Sequence, residues 1–294
     1  MSGWLSVKTL GALRSSEWLL IGYFSYVALI SGPRIPALLV AALIALFAYG
    51  EAQGSREFFS IARDWAPLAL TVAAYREMDW FTPLAPDHHL EFHWIQWDRT
   101  LLHGLGLQNA IESLGALLPG YLEFCYLLVY AVGPFTVAVL YMERRRDQVN
   151  RVLFLYLLGT LLAYALFPFF LSQPPRTLFP ASDLPNVTTT LRVFNLWIVN
   201  GYGIHSSVFP SAHVSSAFSA GWALLLYLPH RKYYGVGMLI YAASVAVAAV
   251  YGRYHYAVDV AAGFGISLVA AGIVWMFRTS LPSRRPLPHH GGLL

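Results

Sequence analysis

Apolar positions along this chain come in long blocks rather than with a short period. Runs such as IPALLVAALIALFAYG and FPSAHVSSAFSAGWALLLYL recur over its whole length, and blocks of this kind are typical of membrane-spanning helices. Several blocks are shorter than the roughly 20 residues that cross a bilayer upright. The first three could therefore be tilted, lie in a locally thinned bilayer, or be partly re-entrant. The pattern predicts about eight spans, near residues 18–31, 35–49, 65–75, 121–141, 152–171, 211–228, 235–251 and 258–277.

A stretch of mixed polarity lies between residues 80 and 119. Its tryptophans and intermittent charges are typical of helices that lie along a membrane surface. The whole pattern predicts an all-α fold, a polytopic membrane helix bundle with about six to eight transmembrane helices and additional interfacial helices. We expect residues 1–280 to form a single membrane domain and residues 281–294, LPSRRPLPHHGGLL, to form a disordered cytoplasmic tail.

Composition and charge exclude a soluble protein and orient the spans. Of all residues, 57% are hydrophobic and 12% are charged. Cytoplasmic N- and C-termini place most Lys and Arg residues on the inner side, as the positive-inside rule requires. This topology accounts for the net charge of +4, so we expect no nucleic-acid partner. The only cysteine, Cys125, excludes an internal disulfide and is expected to be a packed thiol.

Three short polar stretches fall together on the predicted outer face. SQPPRT follows the fifth span, FPSAH opens the sixth, and GRYHYAVDV opens the eighth. Ionisable residues at the hydrocarbon edge are costly unless they face a polar cavity or one another. The sequence therefore predicts a site on the extracellular, periplasmic or luminal side of a plasma or inner membrane.

Two histidines and an aspartate in these stretches suit phosphoryl chemistry. His255 and Asp259 are four residues apart, a spacing that stacks them on one face of a helix, so that the carboxylate holds one imidazole proton and leaves the other nitrogen as a nucleophile. Pro210 and Ser211 start a helix whose first N–H groups are well suited to bind a phosphate. His213 follows within reach of that anion. Ser211 either binds the phosphate or caps its helix.

Arginines complete the predicted site. Arg176 and Arg253 can each hold two phosphate oxygens with a planar guanidinium. Arg253 reaches the phosphate only if the last helix begins near Tyr254 and Arg253 lies in the preceding turn. Arg192, in the long outer loop, is expected at the surface. Together these parts describe phosphoryl transfer without a metal or another cofactor.

PSAH and RYHYAVD resemble the second and third signature motifs of the type 2 phosphatidic acid phosphatase superfamily, over roughly residues 75–274. WDRTLLHGLG and the aromatic YLEFCYLLVY resemble the inositol phosphorylceramide synthase branch. The resemblance implies that His255 attacks phosphorus, that Asp259 orients it, that His213 protonates the leaving alcohol, and that no metal is required.

Two positions depart from the motifs of this superfamily. QPPR lacks the lysine of the first motif, which leaves Arg176 as the only candidate from it. Ala249 occupies the place of the usual arginine in the third motif, so that Arg253 is the nearest substitute.

The stretch DHHLEFHW holds a second group of ionisable residues. His89 and His93 are four residues apart beside Asp87 and Glu91, a spacing that suits a divalent ion. No further ligand follows from the spacing, so no metal is expected. Recognition of a headgroup and the ordinary composition of a surface helix are the other interpretations of this group, which also includes His88.

These features predict a metal-independent membrane enzyme that acts on lipid-linked phosphate esters through a phosphohistidine. A hydroxyl acceptor gives a phosphotransferase, for which the resemblance implies a substituted phosphate such as phosphoinositol, and water gives a lipid phosphate phosphatase. A second interpretation is a lipid transporter in which the same residues line the translocation pathway, although the chain shows no inverted repeat. An inactive scaffold is a further alternative. The expected partners are the lipid phosphate, its acceptor and membrane lipids, and the sequence sets no oligomeric state.

Overall fold

The computed structural model describes residues 13–53, 56–180 and 183–277. No β-strand occurs in these ranges, which confirms the all-α prediction. The predicted tail, residues 281–294, lies outside them. In chain order the α-helices are α1 (Ser15–Ser31), α2 (Ile35–Ala52), α3 (Arg56–Glu77), α4 (His89–Arg99), α5 (Leu107–Glu112), α6 (Leu117–Leu128), α7 (Val132–Met142), α8 (Val149–Leu166), α9 (Pro175–Leu178), α10 (Thr190–Tyr202), α11 (Ala212–Tyr227), α12 (Lys232–Tyr251) and α13 (Ala257–Phe277).

The predicted apolar spans are all helical. Among the described residues, five stretches are long and apolar enough to cross a membrane: Ile35–Ala52, Leu117–Met142, Arg146–Phe169, Pro229–Tyr251 and Ala257–Phe277. The other three predicted spans coincide with α1, α3 and α11. Helices α1 and α11 have only 17 and 16 residues, and α3 carries charged residues near both of its ends. The chain is therefore an integral membrane protein built as a helix bundle.

Helix α11 lies at the centre of the bundle, where it packs against α8, α12 and α13. Small side chains line it, and Ala217, Ala220 and Ala223 are fully buried. Gly159 of α8 faces Ser219 so closely that any side chain at the glycine would overlap the serine. Small residues let membrane helices approach closely and gain dispersion contacts. This packing fixes the position of α11, whose first turn carries His213.

Buried and half-buried ion pairs join the helices at the end of the bundle where α1 begins. Arg63 binds Glu17 at 2.5 Å and Glu51 at 2.7 Å. Both oxygens of Asp64 are used, because Arg14 lies 2.7 Å from one and Arg146 lies 2.6 Å from the other. This ion network, made of Arg14, Glu17, Glu51, Arg63, Asp64 and Arg146, connects the first three helices to the segment that precedes α8.

Candidate active site

His213 and His255 meet at the end of the bundle opposite the ion network. His213 is the second residue of α11, and His255 lies in the loop 252–256 between α12 and α13. His213 Nδ1 and His255 Nε2 are 3.4 Å apart. The backbone holds the two segments together, because Ser211 N–H donates a 2.9 Å hydrogen bond to Asp259 O. The fold thus brings together two histidines that are 42 residues apart in sequence.

His255 is fixed through its Nδ1 nitrogen. Val208 O lies 3.0 Å from Nδ1, and Asp259 Oδ2 lies 3.3 Å from it. Both are acceptors, which assigns the ring proton to Nδ1 and leaves a lone pair on Nε2. The predicted shared helix face differs from the structure, because His255 precedes α13. Asp259, fully buried in the first turn of α13, reaches back to the loop, where it also accepts from Tyr256 N–H at 2.9 Å.

Burial determines the charge of His255. The side chain is 6% exposed. Burial, and after it the positive charge of Arg176, lowers the pKa of His255 to about 3. The imidazole is therefore neutral at physiological pH, and its Nε2 needs no deprotonation before it acts as a nucleophile.

Arg176 lies in the short helix α9, held against the loop that carries His255. Its backbone N–H donates to Arg253 O at 3.1 Å, and its guanidinium Nη1 donates to Tyr254 O at 3.4 Å. The guanidinium carbon lies 5.6 Å from the centre of the Tyr254 ring, a cation–π distance. The buried Nε has no partner in the described part of the chain. Arg176 therefore combines a fixed position with an unused donor.

Arg253 lies in the turn before α13, the place that its predicted role requires. Its ion pair with Asp98 was not predicted. Its φ of 61° is in the left-handed region. Its Nη1 donates to Asp98 Oδ2 at 2.7 Å, and Asp98 Oδ1 accepts from Ala257 N–H at 2.9 Å. Within the described ranges its Nε and Nη2 have no partner. Asp98 thus joins α4 to both ends of the turn.

Ser211 caps α11. Its Oγ accepts from Val214 N–H at 3.4 Å, and the side chain is fully buried. Gly263 of α13 lies against the backbone carbonyl of Ser211, where any side chain would overlap it. This close approach sets the distance between the first turns of α11 and α13. The hydroxyl proton of Ser211 is not used by the cap, so binding of a phosphate stays a prediction.

The prediction for Arg192 was wrong. Its side chain is 4% exposed, and its Nη1 donates to Glu123 Oε1 at 2.9 Å and to Gly252 O at 3.1 Å. Asn195 Nδ2 and Tyr254 O–H donate to the other oxygen of Glu123, each at 2.7 Å. Arg192 lies in α10 rather than in a loop, and its burial could not be predicted because its partner is 69 residues away in the sequence.

Sequence reasoning missed three residues that hold the site: Asp98, Glu123 and Tyr254. A signal was available for Glu123, since it is the only charged residue in the span Leu117–Met142, and an ionisable residue within a span favours a functional or paired position. Tyr254 stacks on Tyr126 with ring centres 3.9 Å apart. The rings of Tyr126 and Tyr130 lie 5.4 and 5.6 Å from that of His213. Aromatic rings thus form one wall of the site.

Two of the three histidines of DHHLEFHW pair with neighbouring acids. His89 Nδ1 lies 2.7 Å from Asp87, and His88 Nδ1 lies 3.2 Å from Glu91. Glu91 also accepts from Gln173 N–H at 3.0 Å, which attaches α4 to the segment before α9. Among the described residues, no group of three or more His, Cys, Asp or Glu side chains is arranged to hold a metal ion. Glu91 thus contributes a contact between α4 and the segment before α9, and recognition of a headgroup by this cluster stays a prediction.

The comparison with protein families gives one match. A model described as the PAP2 superfamily matches residues 90–273, within the region predicted from the motifs, and this segment contains all the predicted site residues. Searches among curated proteins and among solved structures found no match. Membership supports an enzyme that acts on lipid phosphates, since members of the superfamily are phosphatases and phosphotransferases. The match covers more than half of the sequence, so this chain belongs to the PAP2 superfamily.

Proposed function

We propose that this protein transfers or hydrolyses the phosphate group of lipid-linked phosphate esters through a phosphohistidine on His255. The observation that carries the proposal is the pair of imidazoles 3.4 Å apart. One of them has its Nδ1 proton directed to Val208 O and Asp259, so that its Nε2 lone pair is turned toward the other. This arrangement brings a nucleophile and a proton donor to one place, and an entering phosphate must move the two imidazoles apart so that they lie on its opposite sides.

In the first step, Nε2 of His255 attacks phosphorus, and the bond between phosphorus and the alkoxy oxygen breaks. His213, which takes up a proton when the anionic substrate binds, donates it to that oxygen, so the alcohol leaves neutral. The carboxylate of Asp259 stabilises the positive ring of the phosphohistidine. The guanidinium of Arg176 and the first N–H groups of α11 stabilise the negative phosphoryl oxygens.

In the second step, an acceptor hydroxyl gives its proton to His213 and attacks phosphorus, which releases Nε2 of His255. His213 releases this proton when the product leaves, so each residue returns to its starting protonation state, and neither step requires a metal. The unused donors of Arg253 and the hydroxyl of Ser211 add phosphate contacts in this proposal.

The acceptor decides the reaction class. A lipid or sugar hydroxyl makes the protein a phosphotransferase, and the likeness of WDRTLLHGLG to the inositol phosphorylceramide synthase branch favours transfer of a group such as phosphoinositol. Water makes it a lipid phosphate phosphatase, the second candidate function, with the same residues in the same roles.

The orientation in the membrane is part of the proposal. Arg14, Arg63 and Arg146 lie at the end of the bundle opposite His213 and His255. Basic residues collect on the cytoplasmic side of membrane proteins. We therefore place both termini in the cytoplasm and the histidine pair on the extracellular, periplasmic or luminal side.

Trapping of the intermediate tests this function. Purified protein in detergent is mixed with a lipid phosphate ester labelled at phosphorus, with and without a hydroxyl acceptor. Wild type is expected to carry an acid-labile, alkali-stable label that His255→Ala lacks. With a labelled phosphomonoester, free phosphate identifies a phosphatase, and with a labelled phosphodiester donor, a new phosphodiester on the added acceptor identifies a transferase.

His230→Ala is the matched control, because this exposed histidine lies at the opposite end of the bundle, between α11 and α12. It is expected to retain both the label and turnover. Turnover by His255→Ala at the wild-type rate would refute the mechanism. Uptake of the lipid into vesicles without either product would favour the transporter.

A further inference from the structure

Helix α10 has its polar side turned inward and its apolar side turned outward. Arg192 and Asn195 are 4% and 2% exposed, whereas Phe194 and Trp197 are 46% and 61% exposed. The two exposed rings are stacked with centres 5.7 Å apart, and Tyr202 adds an edge contact to Trp197 at 6.1 Å. A helix surrounded by water presents the opposite arrangement.

The depth of α10 in the bundle follows from its partner helix. It packs against α6, and its two inward residues bind Glu123. Glu123 lies six positions after Leu117, the first residue of the span, or about 9 Å along it at 1.5 Å per residue. The whole span of 26 residues is about 39 Å long, against about 30 Å of hydrocarbon. Glu123 thus lies close to the hydrocarbon boundary, and α10 lies at the same depth.

We propose that the exposed face of α10, made of Val193, Phe194, Trp197 and Tyr202, is seated in the membrane interface of the leaflet nearest the histidine pair, and that this contact positions the catalytic loop. The occupant is the lipid surface itself. Aromatic side chains concentrate at this depth because their rings prefer the boundary between headgroups and acyl chains. Helix α6, against which α10 packs, also exposes two aromatic side chains, Tyr121 and Phe124.

The inward face of α10 holds the loop 252–256 by two routes. Arg192 Nη1 donates directly to Gly252 O at 3.1 Å. Glu123, which Arg192 and Asn195 bind, accepts from Tyr254 O–H at 2.7 Å. The ring of Tyr254 lies under the Arg176 guanidinium. Movement of α10 away from the membrane would therefore shift Gly252 and Tyr254, the second of which directly precedes His255. This coupling rests on the proposed function, whereas the seat in the interface does not.

Fluorescence quenching tests the seat without any substrate. The protein is reconstituted in bilayers whose lipids are brominated near the carboxyl end of the acyl chain, and wild type is compared with Trp197→Phe. Part of the quenching is expected to disappear in the variant, since one quenched tryptophan is removed. Trp94→Phe, at a buried position on α4, controls for the loss of a tryptophan that lipid does not contact. Equal quenching in wild type and Trp197→Phe would place Trp197 outside the bilayer and overturn the proposal.

Kinetics test the coupling. In bilayers, Phe194→Ser with Trp197→Ser is expected to lower turnover of a long-chain lipid phosphate by about tenfold, because two interfacial aromatic contacts exceed the 1.4 kcal/mol that equals this factor. A short-chain, water-soluble phosphate ester in detergent is expected to be turned over at the wild-type rate. Loss of both activities would show a folding defect in place of a membrane contact. If wild type turns over neither substrate, the proposed function fails, and the quenching still decides the seat.

Tyr254→Phe separates coupling from simple anchoring. This change removes the hydroxyl contact with Glu123 but keeps the ring under Arg176. If α10 acts through Tyr254, the serine variant has a smaller effect in the Tyr254→Phe background than in wild type, because coupled residues are not additive. Strictly additive effects on turnover in bilayers would overturn the positioning role.

Discussion

Within the ion network, at the end of the bundle where α1 begins, the charged groups satisfy one another: Arg14 and Arg146 share Asp64, and Arg63 binds Glu17 and Glu51. At the end where α11 begins, the charges are as deeply buried, but their pairing is incomplete. Arg176 keeps its Nε, Arg253 keeps its Nε and Nη2, and Asp259 keeps its Oδ1 without a partner in the part of the chain that the structure describes.

This difference separates a structural site from a binding site. A buried donor without an acceptor costs about 1–3 kcal/mol, and more when the group is charged. Native proteins keep such groups where a ligand or a reaction uses them. The ion network needs no ligand, so its residues stabilise the fold. The histidine end holds cationic donors beside a neutral nucleophile, which suits an anion that enters and leaves.

The largest effect is expected at the acid that orients the nucleophile. Asp259→Asn replaces an acceptor with an amide of the same size, so Nδ1 of His255 loses its charged partner and the phosphohistidine loses its counter-charge. We expect kcat to fall by about 10³, measured as release of product from a lipid phosphate. Asp147→Asn, in a half-exposed pair with Arg145 at the other end, is expected to keep wild-type kcat. A fall of less than about threefold for Asp259→Asn would contradict the assigned role.

In the ion network we expect a substitution to lower stability and to leave activity unchanged. Asp64→Asn leaves the guanidiniums of Arg14 and Arg146 without a full counter-charge, and loss of one partner in a buried network costs about 3–5 kcal/mol. We expect a lower free energy of unfolding in detergent with unchanged kcat per folded molecule. Glu143→Gln, which alters a more exposed pair with Arg231, is the control for charge removal. A reduced kcat for Asp64→Asn in folded protein would show that the two ends are coupled.

A substitution at Arg176 tests whether the site needs only a positive charge or also the planar geometry of the guanidinium. Arg176→Lys keeps the positive charge but loses the planar donors and the contact over Tyr254. We expect kcat/KM to fall by about 10 to 100-fold, because a positioned donor to the phosphoryl oxygens is removed. Arg34→Lys, at an exposed position before α2, makes the same chemical change away from the site. Equal kcat/KM in both variants would assign Arg176 to the fold.

Much of this molecule could be predicted from the sequence because the membrane imposes simple rules. Apolar length predicted the helices, and ionisable residues at the span ends predicted His213, His255 and Asp259 as one group. The partners of Arg192 and Arg253 could not be predicted. Each lies on a different helix, Glu123 on α6 and Asp98 on α4, and pairing between distant segments leaves no periodic trace in one sequence.

The geometry of the contact between His255 and Asp259 was also beyond the sequence pattern. A four-residue spacing predicted a helical contact between His255 and Asp259, whereas the contact forms across a helix start. The left-handed backbone of Arg253 turns the chain there. An arginine carries none of the signal that a glycine would give at such a turn, so local propensity favours a longer helix.

The smallest expected effect is a loss of folding stability when the pH is lowered. In an unfolded chain an imidazole binds a proton below its ordinary pKa of 6.5, whereas burial lowers the pKa of His255 in the folded protein to about 3. Between these two values the unfolded state binds more protons, so the free energy of unfolding falls as the pH falls. From a pH of about 7.5 to about 5.5 this one group removes about 1.4 kcal/mol. Thermal midpoints at the two pH values measure the loss, and His255→Asn, which cannot titrate, is expected to lose less on acidification. An equal loss in wild type and variant would show that folding does not lower the pKa of His255, and burial would then not be what keeps this imidazole neutral.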